Sequence, residues 1–322
     1  MSDSRPVVTL GETMMVFNGP AHQAVGLHQP FTATFAGAES NLAVGLARLG
    51  HPVRFLSVLG DDPFGHLIAR TLRGEGVDTA GVRFSPGHPT GVMFKVRHDP
   101  RAPAVLYNRR GSAFSQATGQ TLSPDCYADA RLIFLTGITP ALSPGCLELI
   151  RGVMREARER GIPVWFDPNF RAKLWDAATF AQTISELLPL VDTLLPSLAE
   201  GRMLSARVEP AEVGATLIER GIRTVVLKAA EQGAFAFSVD GSAAHCERCA
   251  IDEVVDPVGA GDAFDAGYLS AHLEGLAAVD CLRRAHAAAA IVCRTQGDWE
   301  GLPTRGQVER FVWSADRDEV DR

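Results

Sequence analysis

Lysine is nearly missing from this chain: of 31 basic residues only Lys95, Lys173 and Lys228 are lysines, so arginine is the default cation and an ordinary arginine carries little information. No apolar run approaches the roughly 18 residues needed to span a bilayer, and no membrane partner is expected. Basic clusters are lacking too. With a net charge of −7 and arginines spread along the sequence, a nucleic-acid surface is argued against. The six cysteines (Cys126, Cys146, Cys246, Cys249, Cys281 and Cys293) lack framework spacing and read as reduced thiols. Cys246-Glu-Arg-Cys249 beside His245 has no further ligands at zinc spacing, so it reads as incidental. The first six residues, Met-Ser-Asp-Ser-Arg-Pro, lack the basic and apolar regions of a secretory signal, and the cytoplasm is the expected compartment. No repeat, low-complexity tract or linker divides the chain.

What is present is an alternation. Short apolar runs at 7–10, 53–58, 132–135, 164–166, 193–195 and 224–227 are separated by amphipathic segments near 40–49, 63–74, 144–160, 179–188 and 210–220. Strands of that length alternating with helices predict βαβ units and a mainly parallel sheet covered on both faces. Sites in such sheets lie at the carboxyl ends of the strands, which places Asp167, Ser197 and Lys228 on one rim. Residues 88–113 break the alternation: 91–96 and 104–107, separated by a turn at 99–103, read as an inserted β-hairpin. The extended segment 30–35 is expected to pair with it. Residues 314–322 read as a charged, frayed tail.

The most informative stretch is Asp256-Pro-Val-Gly-Ala-Gly-Asp262-Ala-Phe-Asp-Ala-Gly267. Gly259, Ala260 and Gly261 leave backbone N–H groups uncovered just before a helix expected over 263–274, so an anion can bind at its positive end. Asp262 would then stand beside a transferring phosphoryl group, placed to accept a proton from an attacking hydroxyl. The competing explanation is that Asp262 is only a helix cap.

This run resembles the C-terminal signature of the ribokinase-like, or PfkB, carbohydrate kinases. Gly37-Ala-Glu-Ser-Asn41-Leu-Ala-Val-Gly-Leu-Ala-Arg-Leu-Gly50 is similar to their N-terminal signature. The resemblance implies a three-layer α/β/α sandwich with a mainly parallel central sheet and a small β-lid. It implies one kinase domain over residues 1–313, with lid segments at about 12–35 and 88–113. It makes Asp262 the catalytic base and the amides of Gly259, Ala260 and Gly261 the anion hole. It also implies ATP, Mg2+, a monovalent-cation site and a homodimer or higher oligomer built through the lid. Lys228-Ala-Ala-Glu-Gln-Gly233 resembles the family's nucleotide loop, with Ala230 where a glycine is usual. Ser197-Leu-Ala-Glu200 stands where the family has Asn-x-x-Glu, which implies Glu200 as an outer-sphere magnesium residue and Ser197 on the nucleotide side. His286 falls where an adenine-side residue is common; a helix-surface histidine is the alternative.

Asp167-Pro-Asn169-Phe-Arg171-Ala-Lys-Leu-Trp175 resembles both 2-keto-3-deoxygluconate kinases and fructokinases of this family. Tyr107-Asn-Arg109-Arg-Gly-Ser112-Ala113 resembles the former, as do the segments 137–142 and 296–303. A sugar acid brings a carboxylate that planar guanidinium groups match in bidentate fashion, and Arg109 and Arg171 could supply it from lid and body. Glu12, Gly37, Ala38 and Asn41 would complete the pocket, with Asp167, Asn169 and Tyr107. Gly37 is expected to let the ligand approach the backbone. The expected activity is ATP-dependent phosphorylation of the terminal hydroxyl of 2-keto-3-deoxygluconate. Fructokinase or another ketose kinase is the near alternative, and a non-catalytic sugar-binding relative a remote one. A nicotinamide-dependent dehydrogenase is disfavoured because Phe264 stands where the dinucleotide fingerprint needs its third glycine.

Overall fold

The structure, a computed structural model, describes residues 3–21, 25–97, 104–251 and 253–320. The first half runs β1 (Val7–Leu10), β2 (Met14–Ala21), β3 (Thr32–Ala36), α1 (Ala38–Arg48), β4 (Val53–Gly60), α2 (Pro63–Gly74), β5 (Val82–Ser85), β6 (Val92–Arg97), β7 (Ala104–Asn108), β8 (Leu132–Thr136) and α3 (Pro144–Glu159). The second half runs β9 (Val164–Asp167), α4 (Ala177–Leu187), β10 (Thr193–Leu194), α5 (Leu198–Ser205), α6 (Pro210–Glu219), β11 (Thr224–Lys228), β12 (Ala234–Ser238), β13 (Ala243–Cys246), α7 (Ala260–Leu273), α8 (Ala278–Cys293) and α9 (Arg305–Val320).

The central strands alternate between two cores. Val7, Phe134, Trp165 and Val226 enter one core, while their neighbours Val8, Ile133, Phe166 and Val225 enter the other. Because side chains of a strand point to opposite faces with a period of two, such sequences bury both faces and need helices on both sides. Leu42 of α1, Leu72 of α2, Leu269 of α7 and Leu282 of α8 cover one face. Ile150 of α3, Ile184 of α4, Leu204 of α5 and Leu217 of α6 cover the other. The result is a three-layer α/β/α sandwich around a nine-stranded sheet in the order β13-β12-β11-β10-β9-β8-β1-β4-β5. All pairings from β5 across to β11 are parallel; β12 and β13 are added antiparallel.

A second sheet of four strands, β3-β2-β6-β7, forms the lid. The hairpin expected at 88–113 is present as β6 and β7, paired antiparallel with Phe94 opposite Leu106. Its expected turn at 99–103 lies outside the described residues. The partner expected for the hairpin is corrected: the 30–35 region pairs with β2, and β2 in turn runs parallel to β6. The Asn18-Gly-Pro interruption hid β2 from a reading based on apolar alternation. The lid has two chemically different faces. Met93, Lys95, Val105 and Tyr107 face a cavity under the lid, whereas the intervening Phe94 and Leu106 are exposed. The expected frayed tail is also corrected, because α9 continues through Val320, anchored by Val308 in the core with Phe311 packed against it.

Candidate active site

Helices α2, α3 and α4 each begin with a side-chain cap, from Asp62, Ser143 and Asp176 respectively. Helix α7 does not. Its N-cap is Gly259, in the left-handed region at φ 81, and no side chain bonds its first turn. A β-carbon at Gly259 would stand 2.2 Å from the Asp298 carbonyl, so only glycine fits there, while a β-carbon at Gly261 would meet nothing within 4 Å. The first-turn N–H groups of a helix have no intrahelical acceptors, and here they open beside Asp262. Gly259 and Asp262 line a cavity of about 910 Å³ between the lid and the main sheet.

Asp262 Oδ2 accepts a 2.7 Å hydrogen bond from Asn41 Nδ2 of α1. Burial raises the pKa of Asp262 to about 6, against the lowering effects of that bond and of the Arg171 guanidinium. A carboxylate so tuned is ionised at neutral pH and still basic enough to take a proton. Asn41, expected in the sugar pocket, lines the cavity and also orients the base. Its Oδ1 is buried without a partner, an acceptor that a ligand hydroxyl can satisfy.

The cavity also gathers Glu12, Gly37, Ala38, Tyr107, Arg109 and Arg171. Arg171 is exposed, and its guanidinium makes no hydrogen bond or ion pair among the described residues. Arg109 is held differently. Its Nε donates to Glu12 Oε2 at 2.7 Å and its Nη2 also pairs with that oxygen, while Ser112 Oγ donates to Glu12 Oε1. Glu12 lines the cavity as expected of a pocket residue, and its two oxygens also position Arg109 and Ser112. Gly37 is corrected in its reason, since its missing β-carbon would collide with the Glu12 carbonyl at 2.4 Å. The glycine admits backbone against backbone at a position that also lines the cavity.

The remaining candidates lie beneath or beside the cavity. Asp167 and Asn169, expected to touch substrate, are buried under Arg171. Asp167 Oδ1 accepts from the Asn169 N–H at 3.0 Å, its Oδ2 accepts from Asn169 Nδ2 at 3.1 Å, and Asn169 takes a left-handed φ of 42. Together they shape the loop that carries Arg171. Ser197 and Glu200 form a capping box at α5: Glu200 N–H donates to Ser197 Oγ, and Glu200 Oε2 accepts from both Ser197 N–H and Oγ. Glu200 Oε1 accepts from the Phe170 N–H at 2.6 Å. Both Glu200 oxygens are therefore committed to the protein, and burial raises its carboxyl pKa. Lys228, expected on the nucleotide loop, instead turns its ammonium inward to Asp167 and Asp265.

In the turn after β11, Ala230 adopts a left-handed φ of 48 and Gly233 a φ of 74. The alanine thus accepts the conformation that glycine would adopt more readily, and a β-carbon at Gly233 would stand 2.2 Å from the Cys246 carbonyl. His286 is not on a helix surface and does not line the cavity. It is buried edge-on against Phe264, and burial lowers its pKa to about 4, so the ring is neutral at physiological pH.

The cavity residues that were not anticipated include Lys95, Lys173 and Asp298. Lys95 and Asp298 form a buried ion pair between β6 and the loop before α9. Lys173 donates to the Val105 carbonyl at 2.8 Å and lies 5.5 Å from the Tyr107 ring centroid, tying body to lid. The scarcity of lysine was the available signal, for two of the three lysines line this cavity. Among the described residues no group of three His, Cys, Asp or Glu side chains is placed to hold a metal ion, and none of the described helices is long and apolar enough to cross a membrane.

Residues 4–305 match the model of the pfkB family carbohydrate kinases. The chain is 38% identical to a 2-dehydro-3-deoxygluconokinase of Bacillus subtilis over 309 residues, covering 95% of this chain and 94% of that protein. It is 32% identical to a 2-dehydro-3-deoxygalactonokinase of Haloferax volcanii, covering 96% and 97%. An E. coli protein assigned as ribokinase II, solved in complex with ATP and Mg2+, superposes with a TM-score of 0.87 at 25% identity, covering 98% of this chain and 100% of that one. The chain belongs to the pfkB family of carbohydrate kinases, and its fold is ribokinase-like.

Proposed function

We propose that this pfkB-family kinase transfers the terminal phosphoryl group of ATP to the 6-hydroxyl of 2-keto-3-deoxygluconate, also called 2-dehydro-3-deoxygluconate, giving the 6-phosphate. The observation that carries this reading is Arg171: an unpartnered guanidinium in the same cavity as Asp262, within its electrostatic reach. A neutral ketose would leave that cation without an anionic partner, whereas a sugar acid supplies a carboxylate. The similarity to the B. subtilis enzyme points to the same substrate.

In this reading Asp262 takes the proton of the attacking hydroxyl, and Asn41 keeps the carboxylate facing it. Asn41 Oδ1 accepts from a sugar hydroxyl. The N–H groups at the start of α7 receive negative charge on the transferring group, acting as fixed donors that need no reorganisation. Arg171, with Arg109 held in place by Glu12, orients the acid end. ATP and Mg2+, when bound, would supply the phosphoryl group and neutralise its charge. Glu200 holds the Arg171 loop through Phe170, and the second lone pair of its Oε1 can accept from the metal's water shell. The lid excludes water that would otherwise compete for the phosphoryl group.

We also infer a homodimer through the lid, working in the cytoplasm. It is supported by the exposed row of Phe94 and Leu106 on the outer lid face, with Phe64 beside it; light scattering of wild type and Leu106→Glu tests it. Phosphate NMR of the product tests the reaction: a phosphomonoester coupled to the C6 protons is expected, and a different position of phosphorylation would refute it.

A further inference from the structure

Lys228 ends β11, the strand that leads into the Ala229–Gly233 turn. Its Nζ lies 3.1 and 3.2 Å from the two carboxylate oxygens of Asp265 and 3.2 Å from Asp167 Oδ2. Both acids are buried, Asp265 at 1% exposure and Asp167 at 3%. Each belongs to a different working part. Asp167 ends β9 and shapes the Asn169 turn that presents Arg171. Asp265 stands one helical turn after Asp262 on α7, so it moves with the base and with the anion hole.

We propose that Lys228 is a positioning residue and not a nucleotide ligand: its half-buried ammonium, gripped by Asp167 and Asp265, locks the loop of Arg171 to the helix of Asp262 and supplies positive charge near the base. The proposal rests on Asp262 being that base. Burial alone would lower the proton affinity of Lys228, but the carboxylates of Asp167 and Asp265 outweigh it, so the ammonium stays charged. Burial drives the Asp265 carboxyl upward, opposed by Lys228. The groups that bear on Asp262 are Asn41 and Glu39 from α1, Arg171 and Asp167 from β9 and its loop, Lys228 from β11, and Asp265 on its own helix. Of these only Arg171 and Lys228 are positive, and Arg171 is exposed to screening while Lys228 is only partly exposed and held between two carboxylates. Without Lys228 the field at Asp262 becomes more negative, and the base holds its proton to higher pH.

The test is kinetics from pH 5.5 to 9 on Lys228→Met, Lys228→Gln and Lys228→Arg, with ATP affinity measured by calorimetry without sugar. In Lys228→Met the acid limb of kcat/KM moves up by about one pH unit, the size expected for losing one nearby opposite charge. Activity then falls about fivefold more at pH 6 than at pH 8. ATP affinity stays within about twofold of wild type, and Lys228→Arg returns the limb to its original place. If Lys228→Met does not fold, Lys228→Gln gives the same reading, because its amide can still donate to one carboxylate and it carries no charge. An unmoved limb in a folded variant overturns the proposal, and ATP binding weakened about tenfold overturns it in favour of a nucleotide ligand. Failure of the proposed function is read separately, on wild type alone, as lack of sugar-acid phosphorylation.

Discussion

Replacing Asp262 by asparagine should abolish turnover and make the protein more stable. Burial raises the Asp262 pKa from 3.8 to about 6, a shift of about two units or roughly 3 kcal/mol of penalty on the ionised form. The carboxylate opens onto the cavity, where screening reduces this to about 2 kcal/mol. The sign follows from the direction of the shift. A carboxyl whose folded pKa lies above its unfolded value favours folding fully below about pH 4, and that contribution is lost as pH rises through about 6. Asparagine keeps the size and can still accept from Asn41, but it is never charged. Asp262→Asn should therefore match wild type near pH 4 and exceed it at pH 8 by about 2 kcal/mol, or about 3 °C in Tm. Its kcat should fall by about two to four powers of ten. Urea unfolding at several pH values and a coupled ADP assay measure the two effects. Near-normal turnover would reduce Asp262 to a helix residue, and a variant less stable at pH 8 would show that its charge is welcome in the fold.

Loss of a charge-assisted bidentate contact costs about 1.5–3 kcal/mol, so Arg171→Ala should lower kcat/KM for the sugar acid roughly 10- to 150-fold. The KM for ATP should barely move, and Arg171→Lys should restore only part of the loss, since a point charge does not reproduce the planar fork. Arg109→Ala should lose activity similarly but also stability, because it strands the buried Glu12 carboxylate; equal thermal stability to Arg171→Ala would refute the Glu12 pairing. Glu39, with no exposed surface, accepts from Thr136 and Thr139 through Oε1 and leaves Oε2 unpartnered; burial raises its pKa from 4.5 to about 7. Glu39→Gln should be neutral to stability below about pH 4 and stabilising by about 3 kcal/mol above pH 8, by the same sign argument; a destabilised variant at high pH would show a paired carboxylate.

The alternation of apolar runs was enough to anticipate the parallel sheet and its rim, because strands buried on both faces leave a continuous apolar signature. It was not enough for β2, broken by Gly19 and Pro20, or for α8, whose alanine-rich face carries little periodic contrast. At the site, the glycines before Asp262 and the arginine-bearing segments were legible as motifs. Their internal partners were not. Glu12 and Arg109 are 97 residues apart, and nothing local to either marks the pair. Asp167, Asn169, Glu200 and Lys228 are polar residues at strand ends, where sequence alone cannot distinguish a group that meets the ligand from one that supports the loop below it. Asp265 lies inside the motif itself, one turn beyond the base, yet no local feature marks Lys228 as its partner.

The most direct measurement is the wild-type kcat/KM for four acceptors under one set of conditions: 2-keto-3-deoxygluconate, its galacto epimer, fructose and ribose. Both sugar acids should exceed fructose by about a hundredfold, the value of one good carboxylate–guanidinium contact at the upper end of its range, with ribose no better than fructose. Fructose used as well as either sugar acid would contradict the carboxylate clamp, because Arg171 would then have no carboxylate to recognise.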